Sequence, residues 1–222
     1  MRDVRMTEQE DPPGRITGYD LEQACDFLRA GRVVAFPTET YYGLAVDPCN
    51  RQALSRLFAL KRRPPDKPVL LLVEDRRQLL PLVCDVPPPF EILMRKFWPG
   101  PLTLVFPGKE ILPDMLTGYR STVGIRQSSH PVAERLVQAF GRPITATSAN
   151  RSGEPAAVDA AGVIDQLGPD VDFVLDGGST PGGLGSTIVG HEEGQVLLLR
   201  PGVIPFADIL AALVPDQAAK GE

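Results

Sequence analysis

The stretch KRRPPDKP, residues 61–68, concentrates the groups of this chain that could bind an anion. Four cations stand there among three prolines and one carboxylate, in a chain whose formal net charge is −5. Proline restricts the backbone, so the cations would be held in position. Arginine offers a planar fork for phosphate oxygens and lysine a compact charge. Since each charge-assisted contact contributes roughly 1.5–3 kcal/mol, several could hold a triphosphate. The alternative interpretation is a helix C-terminus with solvated charges.

Further polar side chains follow or interrupt apolar runs, where α/β proteins build ligand sites. They are Thr38 and Thr40 in FPTETYYGLA, Thr122 and Arg126 in STVGIR, Ser148 and Asn150 in TATSAN, Ser186 and Thr187 in GGLGST, and Arg200 in LLLRPG. None is decisive alone, because threonine beside proline, SAN and glycine runs are also typical of turns and caps. GGLGST could cradle a phosphate, but it lacks the lysine and spacing of a Walker motif.

Several kinds of chemistry find little support in the sequence. The only two histidines are predicted at a helix start (His130) and in a turn (His191), which disfavours a histidine-activated nucleophile. No metal-ligand spacing occurs, so any metal is expected as magnesium on a nucleotide. Three cysteines without a CxxC motif fit reduced thiols in a cytosolic protein. No segment predicts membrane association, and the acidic balance disfavours nonspecific duplex binding.

Alternating apolar patterns predict the elements that must position these groups. Helices are predicted over 21–30, 51–60, 75–83, 90–98, 129–140, 157–167 and 205–214, and strands over 32–36, 69–73, 102–106, 122–126, 143–147, 171–175, 187–189 and 196–200, with turns at 98–101 and 190–194. Asp20 and Asn50 are expected to cap the first two helices. The alternation indicates an α/β class with a largely mixed sheet. We expect one domain over 16–214, between a flexible segment at 1–15 and a tail at 215–222.

Seven stretches, in this order, resemble the YrdC family, the threonylcarbamoyl-AMP synthases. They are FPTETYYGLA, KRRPPDKP, WPGPLTLVF, STVGIR with HP after it, ATSANRSG, GSTIV and LRPG, and the resemblance covers about residues 16–205. The resemblance implies a YrdC/RibB-like twisted, largely mixed sheet flanked by helices around a wide positive cavity. Since the chain ends soon after LRPG, it resembles the short, single-domain type.

The resemblance also implies a cytoplasmic enzyme that condenses L-threonine, bicarbonate and ATP to threonylcarbamoyl-adenylate and pyrophosphate. Partner tRNA threonylcarbamoyltransferase proteins would then modify tRNA, with a direct tRNA contact as a further expectation. The residues carried over are Lys61 and Arg63 as the catalytic pair, Thr38, Thr40, Arg126 and Ser186 for threonine, and Arg63, Lys67, Thr122, Ser148, Asn150 and Arg200 for ATP.

One position departs from the family pattern. Many members have a histidine near the end of the strand after the basic stretch, where this chain has Leu72 and Val73. Two alternatives remain open at the level of sequence. One is a paralogue of the same fold, such as a YciO-like or carbamoyl-transfer protein. The other is an RNA-binding module, which the lack of an aromatic stripe disfavours.

Overall fold

The computed structural model describes residues 16–214, which form a mixed α/β fold. The strands are β1 (Ile16–Gly18), β2 (Val34–Pro37), β3 (Tyr42–Ala45), β4 (Leu70–Leu72), β5 (Leu102–Pro107), β6 (Thr122–Arg126), β7 (Ile144–Ser148), β8 (Phe173–Leu175), β9 (Thr187–Glu192) and β10 (Gln195–Arg200). The helices are α1 (Leu21–Arg29), α2 (Arg51–Lys61), α3 (Arg76–Leu79), α4 (Pro88–Phe97), α5 (Asp114–Thr117), α6 (Pro131–Phe140), α7 (Ala160–Leu167) and α8 (Phe206–Ala211). The tails predicted at 1–15 and 215–222 lie outside the described residues, and the division into one domain stays a prediction.

All ten of these strands belong to one sheet, in the order β1-β8-β2-β3-β7-β4-β6-β5-β9-β10. The pairs β1/β8, β2/β8, β4/β6 and β5/β9 are parallel and the other pairs are antiparallel. The predicted α/β class with a mixed sheet is therefore confirmed.

The two predicted helix caps are present. The Asp20 carboxylate accepts hydrogen bonds from the backbone N–H groups of Glu22 and Gln23 at 2.8 and 3.2 Å. The Asn50 side chain accepts from the first turn of α2 in the same way. Each cap satisfies backbone donors that have no partner within the helix.

Two strands and one α-helix were not predicted: β1, β3 and α5, each three or four residues long. All four residues of β3 are buried, so it shows no alternation between apolar and polar positions. The prediction of a five-residue turn at 190–194 was wrong, since β9 continues to Glu192 and places His191 in a strand. Glu193 and Gly194 alone make the turn, with φ of +49° and +81°.

Helices cover the two faces of the sheet unequally. On one face, the core formed with α2, α4, α7 and α8 runs along the whole central sheet and buries Leu71, Leu104 and Ile125 completely. On the other face, α1 and α6 pack over Phe36 and Ile144, toward the β1 side of the sheet.

Among residues 16–214, no helix packs against the remainder of that second face. Its floor is formed by Leu70 of β4, Gly124 of β6, Val105 of β5 and Ile188 of β9, all partly exposed although they lie in interior strands. A Cβ on Gly124 would lie 3.4 Å from Thr103 Cγ2 and 3.5 Å from Leu70 Cβ, which places these residues side by side. We call this half of the sheet the open face.

Candidate functional site

Lys61 is the last residue of α2, at the rim of the open face, and is 1% exposed. The alternative interpretation of a helix end is confirmed, but its expectation of a solvated charge is wrong for this side chain. Nζ donates to the Ser148 carbonyl, to the Asn150 carbonyl at 2.7 Å and to Asn150 Oδ1 at 3.1 Å. Burial, followed by the neighbouring Arg63 charge, lowers the Lys61 pKa to about 7. The three acceptors oppose this by favouring the ammonium form.

The SAN segment, residues 148–150 at the end of β7, is held together by these contacts and by its own side chains. Ser148 Oγ donates to Asn150 Oδ1 at 2.5 Å, and Asn150 Nδ2 donates to the Glu154 carbonyl at 2.5 Å. Ser148 is exposed and Asn150 is buried. Lys61 and Asn150 therefore hold the backbone of the SAN segment in place through buried contacts. The Ser148 side chain remains accessible at the open face.

Arg63 organises the proline-rich stretch that gives the site its positive charge. Its Nε donates to the Lys67 carbonyl at 3.1 Å and one Nη to the Pro68 carbonyl at 2.8 Å. Burial, followed by the charge of Arg200, lowers the Arg63 pKa. Gly118 packs against this stretch from the other side, since a Cβ there would lie 2.6 Å from the Asp66 carbonyl oxygen. The loop is thus braced, as the prolines predict.

Arg200, at the end of β10, connects to the start of β9. One Nη donates to the Ser186 carbonyl at 2.8 Å and to Ser186 Oγ at 3.2 Å. Ser186 Oγ also forms a 2.8 Å hydrogen bond with Thr103 Oγ1 on β5. Burial of the guanidinium and the charge of Arg126 lower the Arg200 pKa, although the residue as a whole is exposed.

Arg126, at the end of β6, is 4% exposed and faces Glu39. Its Nη1 lies 3.5 Å from Glu39 Oε1, and its Nε is buried without a hydrogen-bond partner in the described structure. Glu39 Oε2 accepts a hydrogen bond from Ser128 Oγ. Burial lowers the Arg126 pKa, and Glu39 opposes that change.

Thr38 and Thr40 lie in a tight turn before β3. Thr38 Oγ1 donates to the Tyr41 carbonyl at 2.7 Å and lies 3.0 Å from Thr40 Oγ1. Both side chains are buried, so Thr38 has the turn-forming role that its place beside Pro37 predicts.

The glycine-rich segment at 176–186 crosses above this turn and connects β8 to β9. The Gly182 N–H donates to the Thr40 carbonyl at 2.8 Å, and Tyr41 Oη donates to the Gly183 carbonyl at 2.7 Å. Tyr42 Oη donates to the Gly178 carbonyl at 2.8 Å, and burial raises the Tyr42 pKa to about 12. Gly178, Gly182 and Gly183 have positive φ, which favours the turn interpretation of these glycines.

Most of the sequence-predicted residues therefore converge around the open face. Contacts join Lys61 with Ser148 and Asn150, Arg200 with Ser186, and Thr38 with Thr40. The charge of Arg200 lowers the Arg63 pKa, and the charge of Arg126 lowers the Arg200 pKa. Lys67, which is exposed, and Thr122, at the start of β6, make no side-chain hydrogen bond within the described structure.

Sequence reasoning missed Glu39, Ser128 and Thr103. Glu39 stands within the quoted FPTETYYGLA, between two threonines that were singled out, so its place in the motif was the available signal. A charged residue in a turn is usually solvated, whereas this side chain is only 12% exposed.

Two negative findings concern the described residues alone. Within 16–214, no group of three or more His, Cys, Asp or Glu side chains is arranged to hold a metal ion. Over the same range, no helix is both long and apolar enough to cross a bilayer. Cys25, Cys49 and Cys84 are free thiols.

Known proteins of similar sequence share this architecture. The chain is 40% identical, over 195 residues, to a protein from Pyrococcus abyssi named threonylcarbamoyl-AMP synthase, an alignment that covers 88% of this chain and 57% of that protein. A crystal structure of P. abyssi Sua5 with L-threonine superposes with a TM-score of 0.84 at 37% identity, covering 89% of this chain and 59% of that one. Escherichia coli YciO superposes with a TM-score of 0.74 at 25% identity, covering 85% and 94%. The chain thus spans less than three-fifths of the P. abyssi proteins.

The Sua5/YciO/YrdC family model, described as "Telomere recombination", matches residues 26–202. That range contains Thr38, Arg63, Arg126, Ser148 and Arg200, which come from separate parts of the chain and meet at the open face. With most of the chain matched and relatives near 40% identity, the protein belongs to the Sua5/YciO/YrdC family.

Proposed function

We propose that this protein is a threonylcarbamoyl-AMP synthase, an enzyme that condenses L-threonine, bicarbonate and ATP and releases pyrophosphate. The observation that carries the proposal is the convergence of Arg63, Arg126 and Arg200 on a half of the sheet that no helix of the described residues covers. Their summed charge favours a wide, positive cavity suited to a polyphosphate. The name of the P. abyssi relative supports the choice of reaction.

In this proposal, ATP occupies the end of the open face beside the proline-rich stretch. Arg63, Lys67 and Arg200 face its phosphates, and Thr122, Ser148 and Asn150 supply polar contacts to the nucleotide. Lys61 acts through the SAN segment, because its three N–H groups already have protein acceptors. It is therefore a positioning residue in our proposal.

L-Threonine occupies the other end. Arg126 binds its carboxylate, since the guanidinium Nε is buried without a hydrogen-bond partner in the described structure and a bidentate pair with a carboxylate is strong. Thr38, Thr40 and Ser186 border the same end. Leu72 is fully buried, so it offers no polar contact in place of the family histidine.

The reaction we propose begins when the amine of threonine attacks the carbon of bicarbonate, which gives N-carboxythreonine and releases water. The new carboxylate then attacks the α-phosphorus of ATP, and pyrophosphate leaves. The protein positions the two reactants and stabilises charge on the phosphates, which requires arginine and hydroxyl groups rather than a catalytic histidine. His130 fits this, because its Nδ1 caps α6 by accepting from the Val132 N–H at 3.2 Å.

Further parts of the proposal concern the cellular setting. Magnesium would arrive on ATP as part of the substrate, and the nucleotidyltransferase class follows from the attack on the α-phosphorus. A cytoplasmic location, delivery of the adenylate to tRNA threonylcarbamoyltransferase proteins and a direct tRNA contact extend the same proposal.

The experiment is pyrophosphate release from magnesium ATP, with L-threonine and bicarbonate each omitted in turn. Release that requires both supports the synthase. ATP binding without release would favour a YciO-like or carbamoyl-transfer paralogue, and salt-sensitive RNA binding without ATP binding would favour an RNA-binding module.

The variant Arg63→Ala should lose ATP binding and turnover while the fold persists. Arg62→Ala is the matched control, because Arg62 is exposed in the same stretch. Full pyrophosphate release by Arg63→Ala would contradict the assignment.

A further inference from the structure

One carboxylate lies inside the otherwise cationic site. Among the described residues, Arg63 and Arg200 form no ion pair with an acidic side chain, whereas Arg126 lies 3.5 Å from Glu39. The carboxylate is nearly buried, at 12% exposure, although it comes from a turn. A buried charge in a loop requires a reason, because removing it from water is costly.

Glu39 is held in place through Oε2, the carboxylate oxygen that Arg126 Nη1 does not face. Ser128 Oγ donates to Glu39 Oε2 and accepts from the His130 N–H at 3.3 Å, so the start of α6 fixes the carboxylate. The second oxygen, Oε1, is buried without a hydrogen-bond partner in the described structure. The Glu39 carboxylate is therefore held in position through Oε2, while Oε1 remains able to accept a hydrogen bond.

The ion pair with Arg126 is also incomplete. Charge-assisted N–H···O bonds are about 2.7–2.9 Å long, which is shorter than the 3.5 Å between Nη1 and Oε1. Arg126 Nε, like Glu39 Oε1, is a buried atom without a partner in the described structure. Two opposite charges therefore lie side by side, each able to take a further partner of opposite sign.

Charge complementarity separates the site into two parts. The Arg63 and Arg200 end has no compensating carboxylate, which suits a polyphosphate. The pair of Glu39 and Arg126 sums to zero, and so does an amino-acid zwitterion, whose carboxylate and ammonium could each face the residue of opposite charge. A plain carboxylate would gain from Arg126 but would be repelled by Glu39.

We propose that Glu39 makes this end of the site selective for a zwitterion, so that a carboxylic acid lacking the α-ammonium group is rejected. The inference rests on the proposed function, which supplies L-threonine as the ligand, and adds the residue that determines the class of ligand. Glu39 acts through its charge and through its hold on Arg126.

The test compares two ligands that differ in the ammonium group: L-threonine and 3-hydroxybutanoate. Their dissociation constants are measured by isothermal titration calorimetry on the wild type and on Glu39→Gln, which keeps the shape and removes the charge. The preference for L-threonine should fall about tenfold, equivalent to ~1.4 kcal/mol, with 3-hydroxybutanoate bound as well as before or more tightly. The ATP dissociation constant should stay unchanged. Glu134→Gln, an exposed carboxylate on α6, is the matched control.

The two ligands distinguish selectivity from mere structural support. Equal weakening of both would mean that Glu39 only maintains the shape of the site, and an unchanged preference would mean that its charge does not act on the ligand; either result overturns the inference. If Glu39→Gln does not fold, Ser128→Ala is the second variant, because it releases the Glu39 carboxylate but keeps its charge. It should lower the preference for L-threonine, by less than tenfold. An unchanged preference in Ser128→Ala would also overturn the inference. Failure of the wild type to bind L-threonine would instead overturn the proposed function and this inference together.

Discussion

Replacing Lys61 by methionine removes one buried ammonium and leaves a side chain of similar length. In the folded protein this ammonium joins the end of α2 to Ser148 and Asn150 across 87 and 89 positions of sequence. Methionine cannot donate, so the Asn150 carbonyl loses its 2.7 Å contact and the Ser148 carbonyl loses its contact with Nζ. Asn150 Oδ1 keeps a donor, because Ser148 Oγ still donates to it at 2.5 Å.

Two opposing effects determine the stability of Lys61→Met. Three hydrogen bonds from a charged donor contribute roughly 5–9 kcal/mol. Burial and Arg63 lower the Lys61 pKa from 10.5 to about 7. That change corresponds to a cost of ~5 kcal/mol for the charged form. The substitution removes both effects, so we expect the free energy of unfolding to fall by no more than about 4 kcal/mol.

The affinity for ATP should respond more strongly than the fold. Without the ammonium, the SAN segment keeps its internal bonds and backbone bonds such as that from the Ala149 N–H to the Tyr42 carbonyl at 2.8 Å. The Ser148 carbonyl and Asn150 lose their contacts with Nζ, so the position of Ser148 at the open face is less restrained. We expect ATP to bind at least about tenfold more weakly, a loss of ~1.4 kcal/mol. Urea denaturation measures the first quantity and calorimetric ATP titration the second. A folded Lys61→Met protein that binds ATP like the wild type would refute the positioning role.

Four further predictions concern the site and its surroundings. The ATP affinity of the wild type should fall as the pH rises from about 6 to about 9. With a pKa of about 7, Lys61 loses its charge over this range, and the neutral amine has only two N–H groups for three acceptors. The same titration of Lys61→Met should lack this pH-dependent change. The titration of Lys61 by itself should raise the free energy of unfolding between pH 7 and 10.5. In that range the unfolded chain holds a proton on Lys61 that the folded chain has lost. Gly202→Ala should abolish pyrophosphate release and destabilise the protein by ~1–3 kcal/mol. The new Cβ would lie 2.4 Å from Gly185 O and from backbone atoms of Ser186 and Thr187. The control is Gly194→Ala, which is strained at φ +81° but has no neighbour within 4 Å. Tyr42→Phe should cost ~1–3 kcal/mol in urea denaturation by leaving the Gly178 carbonyl without its donor, and the exposed Tyr19→Phe should cost nothing.

Long periodic segments made most of the fold predictable. The apolar positions of α1 and α6 recur at helical spacing, and capping residues mark where these helices begin. The strand β6 was predicted with its observed bounds, because the apolar Val123 and Ile125 alternate with Thr122 and Gly124, and both apolar residues are buried. The strand β3 escaped, since burial of all four of its residues erases the alternation that marks a strand.

The candidate site was predictable in its residues but not in its contacts. Arg63, Arg126 and Arg200 stand out in motifs, yet no local pattern places the ends of three distant segments beside one another. Lys61 illustrates the limit: its position at a helix end favours a solvated charge, and only the fold shows that Ser148 and Asn150 surround it. Glu39 could not be oriented from sequence at all, because its partner is 87 positions away.

The chemistry of the open face depends on what the sheet leaves uncovered. Helices α1 and α6 pack over the β1 side of this face, so Leu70, Gly124 and Val105 remain accessible in strands that would otherwise be buried. Ligand-binding side chains must then come from strand ends and loops, which explains why the charged groups flank an almost neutral floor. Since Arg126 alone among the three arginines has a carboxylate neighbour in the described structure, the face is not uniformly positive. The polyphosphate and the amino acid would therefore be distinguished by charge before any contact specific to adenine or to the threonine side chain is made.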